Sequence, residues 1–348
     1  MTALVDSAAG AQLGSLTMAG ALNRALADEL RADERVLVYG EDVGTLGGVF
    51  RVTDGLAAEF GEQRVFDSPL AEAGIVGTAI GMAMHGLRPV VEMQFDAFSY
   101  PAFEQITSHL AKLHNRTRGR VRLPVVIRIP YGGGIGGVEH HSDSSEAYWV
   151  STPGLRVVTP GTASDAYWLL RQAIASDDPV LFFEPKRRYW AKEEISAEPA
   201  APFFQALVRR TGTDVTLIGY GSMVPTLLEA ADAAAEEGIS AEVVDLRSLS
   251  PFDDRTVVAS VRRTGRAVVV HEASGFAGFG AEVAARLTEQ CFHQLHAPIG
   301  RVTGFDIPYP PPMLEKYHLP SVDRILDAVD RLQFDDTVVL PDGPGNDA

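Results

Sequence analysis

The stretch FDSPLAEAGIVGTAIGMAMHGLRPVVEMQFDAFSYPAFEQ (residues 66–105) decides how the chain is to be read. A single carboxylate, Glu72, opens a segment with no charged side chain from Ala73 to Met84, and Gly74, Gly77 and Gly81 recur there three and four apart. That spacing predicts a helix buried on most faces, whose small residues let another backbone come close. A carboxylate in the first turn is favoured by the helix dipole but costly to desolvate. Glu72 is therefore either a cap or a buried acid whose partner needs one. The segment is followed by a strand, RPVVEMQF (88–95), and by a helical stretch from Pro101 to Leu113.

Outward from this stretch the same alternation continues. On the N-terminal side, Thr17 can cap a helix running to about Leu30, followed by strands at VLVYG (36–40) and Arg64–Asp67. On the C-terminal side come LPVVIRIP (123–130), LRVVTP (155–160), the helix SDAYWLLRQAIA and PVLFFEP (179–185). Strands separated by helices of this length imply right-handed crossovers and a parallel sheet. A second series follows, with strands at 214–221, 241–246, 266–273 and 297–304 and helices at TLLEAADAAAEEG and AEVAARLTEQCF. A proline-rich turn, IPYPPP, and a helix around Val322–Leu332 close it. The reading is an α/β protein of two parallel-sheet domains: 15–186 and 205–335, joined by a linker at 187–204, with flexible tails at 1–14 and 336–348.

Composition narrows the partners. With 30 basic and 46 acidic residues the formal charge is −16, which argues against nucleic acid or an anionic membrane surface and suits a basic protein partner as well as solubility. One cysteine, Cys291, excludes an internal disulfide and a cysteine-held metal cluster, and fits a reducing, cytoplasmic setting. The N-terminus has no secretory pattern, and the apolar run after Glu72 is too short to span a bilayer.

Two glycine clusters invite a nucleotide reading. Gly132-x-Gly134-x-x-Gly137 follows a strand, but no helix signal opens after it and no acid lies at ribose distance. Its histidines, His140 and His141, give the loop proton-transfer capacity near neutral pH. Gly275-x-x-Gly278-x-Gly280 leads into a helix without the lysine and hydroxyl of a phosphate loop, so tight strand–helix packing is expected there. What remains is a set of isolated polar and aromatic residues at strand ends: Glu72, Gln94 with Phe98, and His141. Ligands gather at the carboxyl ends of parallel strands, and a lone acid, an amide and a flat ring suit a planar nitrogen heterocycle.

Six motifs carry a family resemblance: FDSPLAEAGIVGTAIGMAMHG, EMQFDAFSYPAFEQI, HHSDSSEAYWVSTPGLRVVTP, PVLFFEPKRRY, DLRSLSPFD, and HEA followed by GFGAEVAA. In this order, from about Leu16 to Leu332, they resemble the beta subunits of thiamine-diphosphate-dependent 2-oxoacid dehydrogenases. EMQFDAFSYPAFEQI looks nearer to the branched-chain members than to the pyruvate members. The resemblance implies a pyrimidine-binding domain, a transketolase C-terminal-like domain, and an α2β2 heterotetramer that includes a second beta subunit. The cofactor, thiamine diphosphate, would lie between subunits. The beta chain would hold its aminopyrimidine, and the alpha chain its diphosphate and magnesium through a GDG motif that this sequence lacks.

Carried over by position, Glu72 would share a proton with N1′ of the aminopyrimidine, its pKa raised by desolvation. Phe98 stands where the family has a stacking aromatic, often tyrosine. Gln94 and Leu70 would line the pocket, with Glu41 as an outer contact. His141 matches a histidine facing the 2-oxo acid substrate, with His140 as its adjacent rival. In members that bind potassium through main-chain carbonyls, the positions would be Leu123, Val125, Val126, Ala173, Ser176 and Asp178. The activity implied is oxidative decarboxylation of a branched-chain 2-oxo acid such as 3-methyl-2-oxobutanoate, with acyl transfer to a lipoyl group on an acyltransferase core. Pyruvate or acetoin is the alternative substrate. A dinucleotide-binding oxidoreductase and a non-catalytic scaffold subunit are the rivals of another class.

Overall fold

The computed structural model describes residues 13–334, so the expected tails lie outside the described residues except for Leu13 and Gly14. The first part of the chain contributes β1 (Ser15–Thr17), β2 (Val36–Gly40), β3 (Val65–Asp67), β4 (Arg88–Glu92), β5 (Val126–Tyr131), β6 (Arg156–Val158), β7 (Val180–Pro185) and β8 (Lys192–Glu194). The remainder contributes β9 (Leu207–Arg210), β10 (Val215–Gly219), β11 (Ala241–Asp245), β12 (Ser248–Ser250), β13 (Ala267–Ser274) and β14 (Gly300–Gly304).

Two sheets dominate. The larger has the order β12-β6-β7-β5-β4-β2-β3 and is parallel apart from β12. The smaller has the order β14-β13-β10-β11-β9 and is parallel apart from β9. Central strands such as VIRIPY and VLFFEP are buried along their whole length, as expected where helices cover both faces of a parallel sheet. On one face of the larger sheet pack the helices Met18–Ala32 and Ala163–Ala175. Thr17 caps the first of these, its side chain accepting from the Gly20 amide at 3.1 Å. The other face shares one continuous apolar core with the smaller sheet, from Ile75 and Ile106 through Trp149 to Val257 and Phe279.

Several expectations are corrected. The helix Glu72–Met84 buries only Ile75, Val76, Ala79, Ile80 and Ala83, while Ala73, Gly74, Thr78, Gly81 and Met84 are exposed. It is not buried on most faces, because on its glycine side the described residues bring only Gln105, against Gly77; a Cβ at Gly81 would meet no atom within 4 Å. The stretch after Pro101 is not one helix but a tight-turned piece, Asp96–Ala102, a wide-turned piece, Gln105–Leu110, and a short helix, Leu113–Arg116. Pro101 inside the first piece accounts for part of the break. The segment read as a linker is partly sheet, since β8 pairs antiparallel with β1. β9 and β12 carry no clear sequence signal, whereas the helix Asp254–Thr264, also absent from the expectations, has one in its cap Asp253 and its terminal Gly265. β12 is a three-residue strand that crosses over to extend the first sheet, and β9 carries two arginines at an edge. Among the described residues no helix is long and apolar enough to cross a membrane.

Candidate active site

Strands β5, β4, β2 and β3 are consecutive neighbours in the larger sheet; Gly40 pairs with both Asp67 and Glu92, so β2, β3 and β4 end level, and β5 runs three residues beyond them. Glu41 follows β2, Leu70 and Glu72 follow β3, Gln94 and Phe98 follow β4, and His141 follows β5. Residues 100 positions apart in the chain thus come to one edge. This is the place where a parallel sheet binds ligands.

Along the edge the electrostatics are acidic. Glu41 has its pKa raised, first by burial and then by the negative charges of Asp42 and Glu72. Gln94 donates its side-chain amide to Asp42 Oδ2 at 2.9 Å, which fixes the amide's orientation. Glu72 is only half-buried, in the first turn of a helix whose preceding residue, Ala71, offers no side-chain cap. The desolvation expected for it is not supplied by this chain. Leu70 is 72% exposed, so it lines no closed pocket here either.

The histidines differ. His141 is half-buried, its ring 4.4 Å from Phe95 and 5.3 Å from Phe98, both edge-on. Its Nδ1 is buried without a hydrogen-bond partner. Burial, then the charges of His140 and Lys186, push its pKa below the ordinary 6.5, so the imidazole rests neutral at physiological pH. His140 is exposed and tilted over Phe98 at 5.9 Å. His141 is the inner residue and His140 the outer.

Beneath these groups lie buried charges that the sequence did not reveal. Arg128 donates Nε and Nη2 to Glu184 at 2.6 and 2.9 Å and Nη1 to Glu92 at 2.6 Å, with all three side chains buried. Asp96 accepts from the backbone and the hydroxyl of Ser145. Lys186 is buried with no hydrogen-bond partner on its Nζ. The hint for Asp96 was an acid only two residues beyond Gln94, and for Lys186 a lysine directly after the strand VLFFEP.

The remaining candidates fare unequally. The Leu123 and Val125 carbonyls accept amides at 2.8 and 2.9 Å, and Ala173's accepts from Ser176 N–H at 3.2 Å. Val126 sits in β5 within the same sheet. Arg88 approaches the Ser176 carbonyl, and Arg156 pairs with Asp178 at 3.0 Å. A guanidinium thus stands at the Ser176 carbonyl, whereas the contact at Asp178 is with its side-chain carboxylate and leaves the carbonyl aside. The Gly132–Gly137 loop opens no helix, only the single turn Glu139–His141. Gly278 and Gly280 press on the His271 ring, where added Cβ atoms would come to 2.9 and 2.6 Å, which is tight packing and not an anion cradle.

A planar heterocycle with ring nitrogens fits what is present. Glu41 and Glu72 offer carboxyls, Phe98 offers a ring, and an oriented amide stands beside them. One side of the site is open surface. A cavity of about 420 Å³ adjoins Phe98, lined also by Tyr100, His140, Asp143 and Tyr309, without reaching Glu72.

Comparison with known proteins identifies the two domains. Residues 14–191 match the transketolase pyrimidine-binding domain and residues 205–325 the transketolase C-terminal domain. The chain is 58% identical over 320 residues to the 3-methyl-2-oxobutanoate dehydrogenase subunit beta of Mycobacterium tuberculosis, covering 91% of this chain and 92% of the relative. It is also 58% identical over 318 residues to the pyruvate dehydrogenase E1 component subunit beta of Leifsonia xyli, covering 91% and 94%. A solved structure described as a split gene transketolase, inactive beta4 tetramer, superposes with a TM-score of 0.76 at 26% identity, covering 92% of this chain and 98% of that one. With both domains matched and the site residues at one sheet edge, the chain belongs to the beta subunits of the thiamine-diphosphate-dependent 2-oxoacid dehydrogenases.

Proposed function

We propose that this chain is the beta subunit of a branched-chain 2-oxoacid dehydrogenase, active with an alpha subunit in an α2β2 assembly. The observation that carries the reading is the open edge: Glu72 half-buried at the start of a helix whose small-residue face, Ala73, Gly74, Thr78 and Gly81, is bare. A site of this kind is completed by another chain. Bound at that junction, thiamine diphosphate, with magnesium held through the alpha subunit, would supply the nucleophilic carbon that attacks the 2-oxo group.

The chain's own residues have separate tasks. Glu72 shares a proton with the ring nitrogen of the aminopyrimidine, once the partner's surface has removed its water. Glu41 keeps the neighbourhood acidic and lies behind it. Phe98 presents its ring to the heterocycle and Leu70 covers it, while Gln94, held by Asp42, lines the wall. His141 donates an imidazole N–H toward the substrate carboxylate, and with its lowered pKa gives up readily any proton it takes on, as acyl transfer to the lipoyl sulfur requires. Potassium is not part of the proposal. The acidic second domain suits a basic docking segment on the lipoyl-bearing acyltransferase, and the setting is cytoplasmic.

The test is co-expression with the cognate alpha chain, then thiamine-diphosphate-dependent decarboxylation of 3-methyl-2-oxobutanoate and pyruvate assayed side by side. Glu72→Ala should abolish turnover with the tetramer intact. Near-normal turnover in that variant would remove Glu72 from the mechanism. Pyruvate is the second reading, favoured by the equal 58% identity to a pyruvate dehydrogenase subunit. A methylene in the pocket discriminates by only about 1–3 kcal/mol, so kcat/KM on the two acids decides between them.

A further inference from the structure

The loop after β4 and the loop after β5 carry the two halves of the substrate side, Phe98 on one and His141 on the other. They are joined by one fully buried carboxylate. Asp96 Oδ2 accepts from the Ser145 backbone N–H at 2.7 Å, and Oδ1 accepts from the Ser145 hydroxyl. That hydroxyl in turn accepts from Trp149 Nε1–H at 2.8 Å. Asp96, Ser145 and Trp149 are 0%, 4% and 0% exposed. Both carboxylate oxygens thus accept from Ser145.

The countercharge comes from a third element. Lys186, directly after β7, points its Nζ at the underside of Phe95, 5.6 Å from the ring centroid, without a hydrogen-bond partner. Phe95 is the residue against which His141 packs, at 4.4 Å. A second, weaker tie runs parallel: Tyr100 donates its hydroxyl to Asp143 Oδ2 at 3.1 Å, and the Asp143 carbonyl accepts from Gly132 N–H at 2.7 Å. A buried charge is an expensive way to join two loops when apolar contact would do. What the charge adds is direction, since two donors on one residue fix the register of the loops to a fraction of an ångström.

We propose that Asp96 is a positioning residue for His141: by bridging the loop after β4 to the loop after β5, it holds the imidazole against Phe95 and Phe98 in the geometry the reaction uses. The inference rests on reading His141 as the substrate-side histidine. The substitution Asp96→Ala removes both acceptors, whereas Asp96→Asn would keep one for the Ser145 N–H and could donate to the second lone pair of the Ser145 hydroxyl, so the alanine variant is the one that opens the clamp.

The experiment uses the α2β2 complex in a double-mutant cycle with Asp96→Ala, His141→Ala and the pair together. Asp96→Ala should lower kcat by about tenfold or more against an intact His141, and by less than about twofold against His141→Ala, because the residue acts through the imidazole. In the cofactor-free complex, hydrogen exchange over residues 138–145 should quicken in Asp96→Ala. An equal loss in both backgrounds, or an unchanged kcat, would overturn the proposal. Should Asp96→Ala fail to assemble, Ser145→Ala carries the same cycle with one bond removed and an expected loss of about threefold. If His141→Ala alone retains full turnover, the histidine assignment itself falls, and that result is read from the single variant.

Discussion

Arg128 offers a severe test of how the first domain is held together. Its guanidinium lies between two buried carboxylates, at 2.6 and 2.9 Å from Glu184 and 2.6 Å from Glu92, and Glu184 also accepts from the Tyr189 hydroxyl at 2.5 Å. Exposure is 0% for Arg128, Glu184 and Tyr189 and 3% for Glu92. The cluster ties β4, β5 and β7 together just below the edge that carries Gln94 and the glycine loop. Arg128→Met keeps the volume and removes the charge. Breaking a buried pair costs about 3–5 kcal/mol, and here two carboxylates are orphaned at once, which sets the expectation at about 5 kcal/mol. Against a total of about 5–15 kcal/mol, that loss is close to unfolding. Part is returned by protonation: burial already raises the Glu92 pKa, so the variant's penalty should shrink as pH falls toward the carboxyl range. The assay is urea unfolding at fixed chain concentration, followed by tryptophan fluorescence and circular dichroism. Replacing all three members together, as Arg128→Met with Glu92→Leu and Glu184→Met, should recover most of the loss. A loss below about 1 kcal/mol for the single variant, or a triple variant no better than the single, would refute the reasoning.

Two further outcomes follow from local physics. His271, fully buried in β13 with Nε2 unpartnered, has its pKa lowered to about 4 from 6.5, chiefly by burial. The unfolded chain therefore takes the proton first. Stability is intact above pH about 6.5 and falls by about 3 kcal/mol as pH drops toward about 4, so melts of His271→Leu should show a flatter acid limb than wild type. An identical slope would exclude this residue as the source. Gly154 has φ +93° and a Cβ there would sit 2.1 Å from the Ala111 carbonyl oxygen. Gly154→Ala should cost about 3 kcal/mol through strain and clash together, read as a fallen urea midpoint with an unchanged slope. A midpoint within error of wild type would mean that the turn before β6 can rearrange.

The fold class was legible because a parallel sheet buried on both faces needs apolar runs such as VLVYG and VLFFEP, and those runs need helical stretches between them. The short or charged edges, β9 and β12, were not legible, since an edge strand is set by its neighbour and not by its own residues. The candidate site divides along the same line. Residue types at strand ends, Glu72, Gln94, Phe98 and His141, could be picked out because chain position alone puts them at a carboxyl edge. The charges beneath them could not. Asp96 meets Ser145 across 49 residues and Arg128 meets Glu184 across 56, and whether a charge is buried or solvated depends on a partner that only the tertiary pairing brings.

Glu72 shows both halves of the lesson. The sequence determined that an acid opens an apolar, glycine-spaced helix, and that such spacing invites another backbone. Only the tertiary structure decided which face is left for it, by filling the Ile75, Val76 and Ile80 side from this chain and leaving the Gly74 and Gly81 side bare. Small residues lower the cost of close approach on every face of a helix alike. Which face stays open is fixed by what the rest of the fold has already covered.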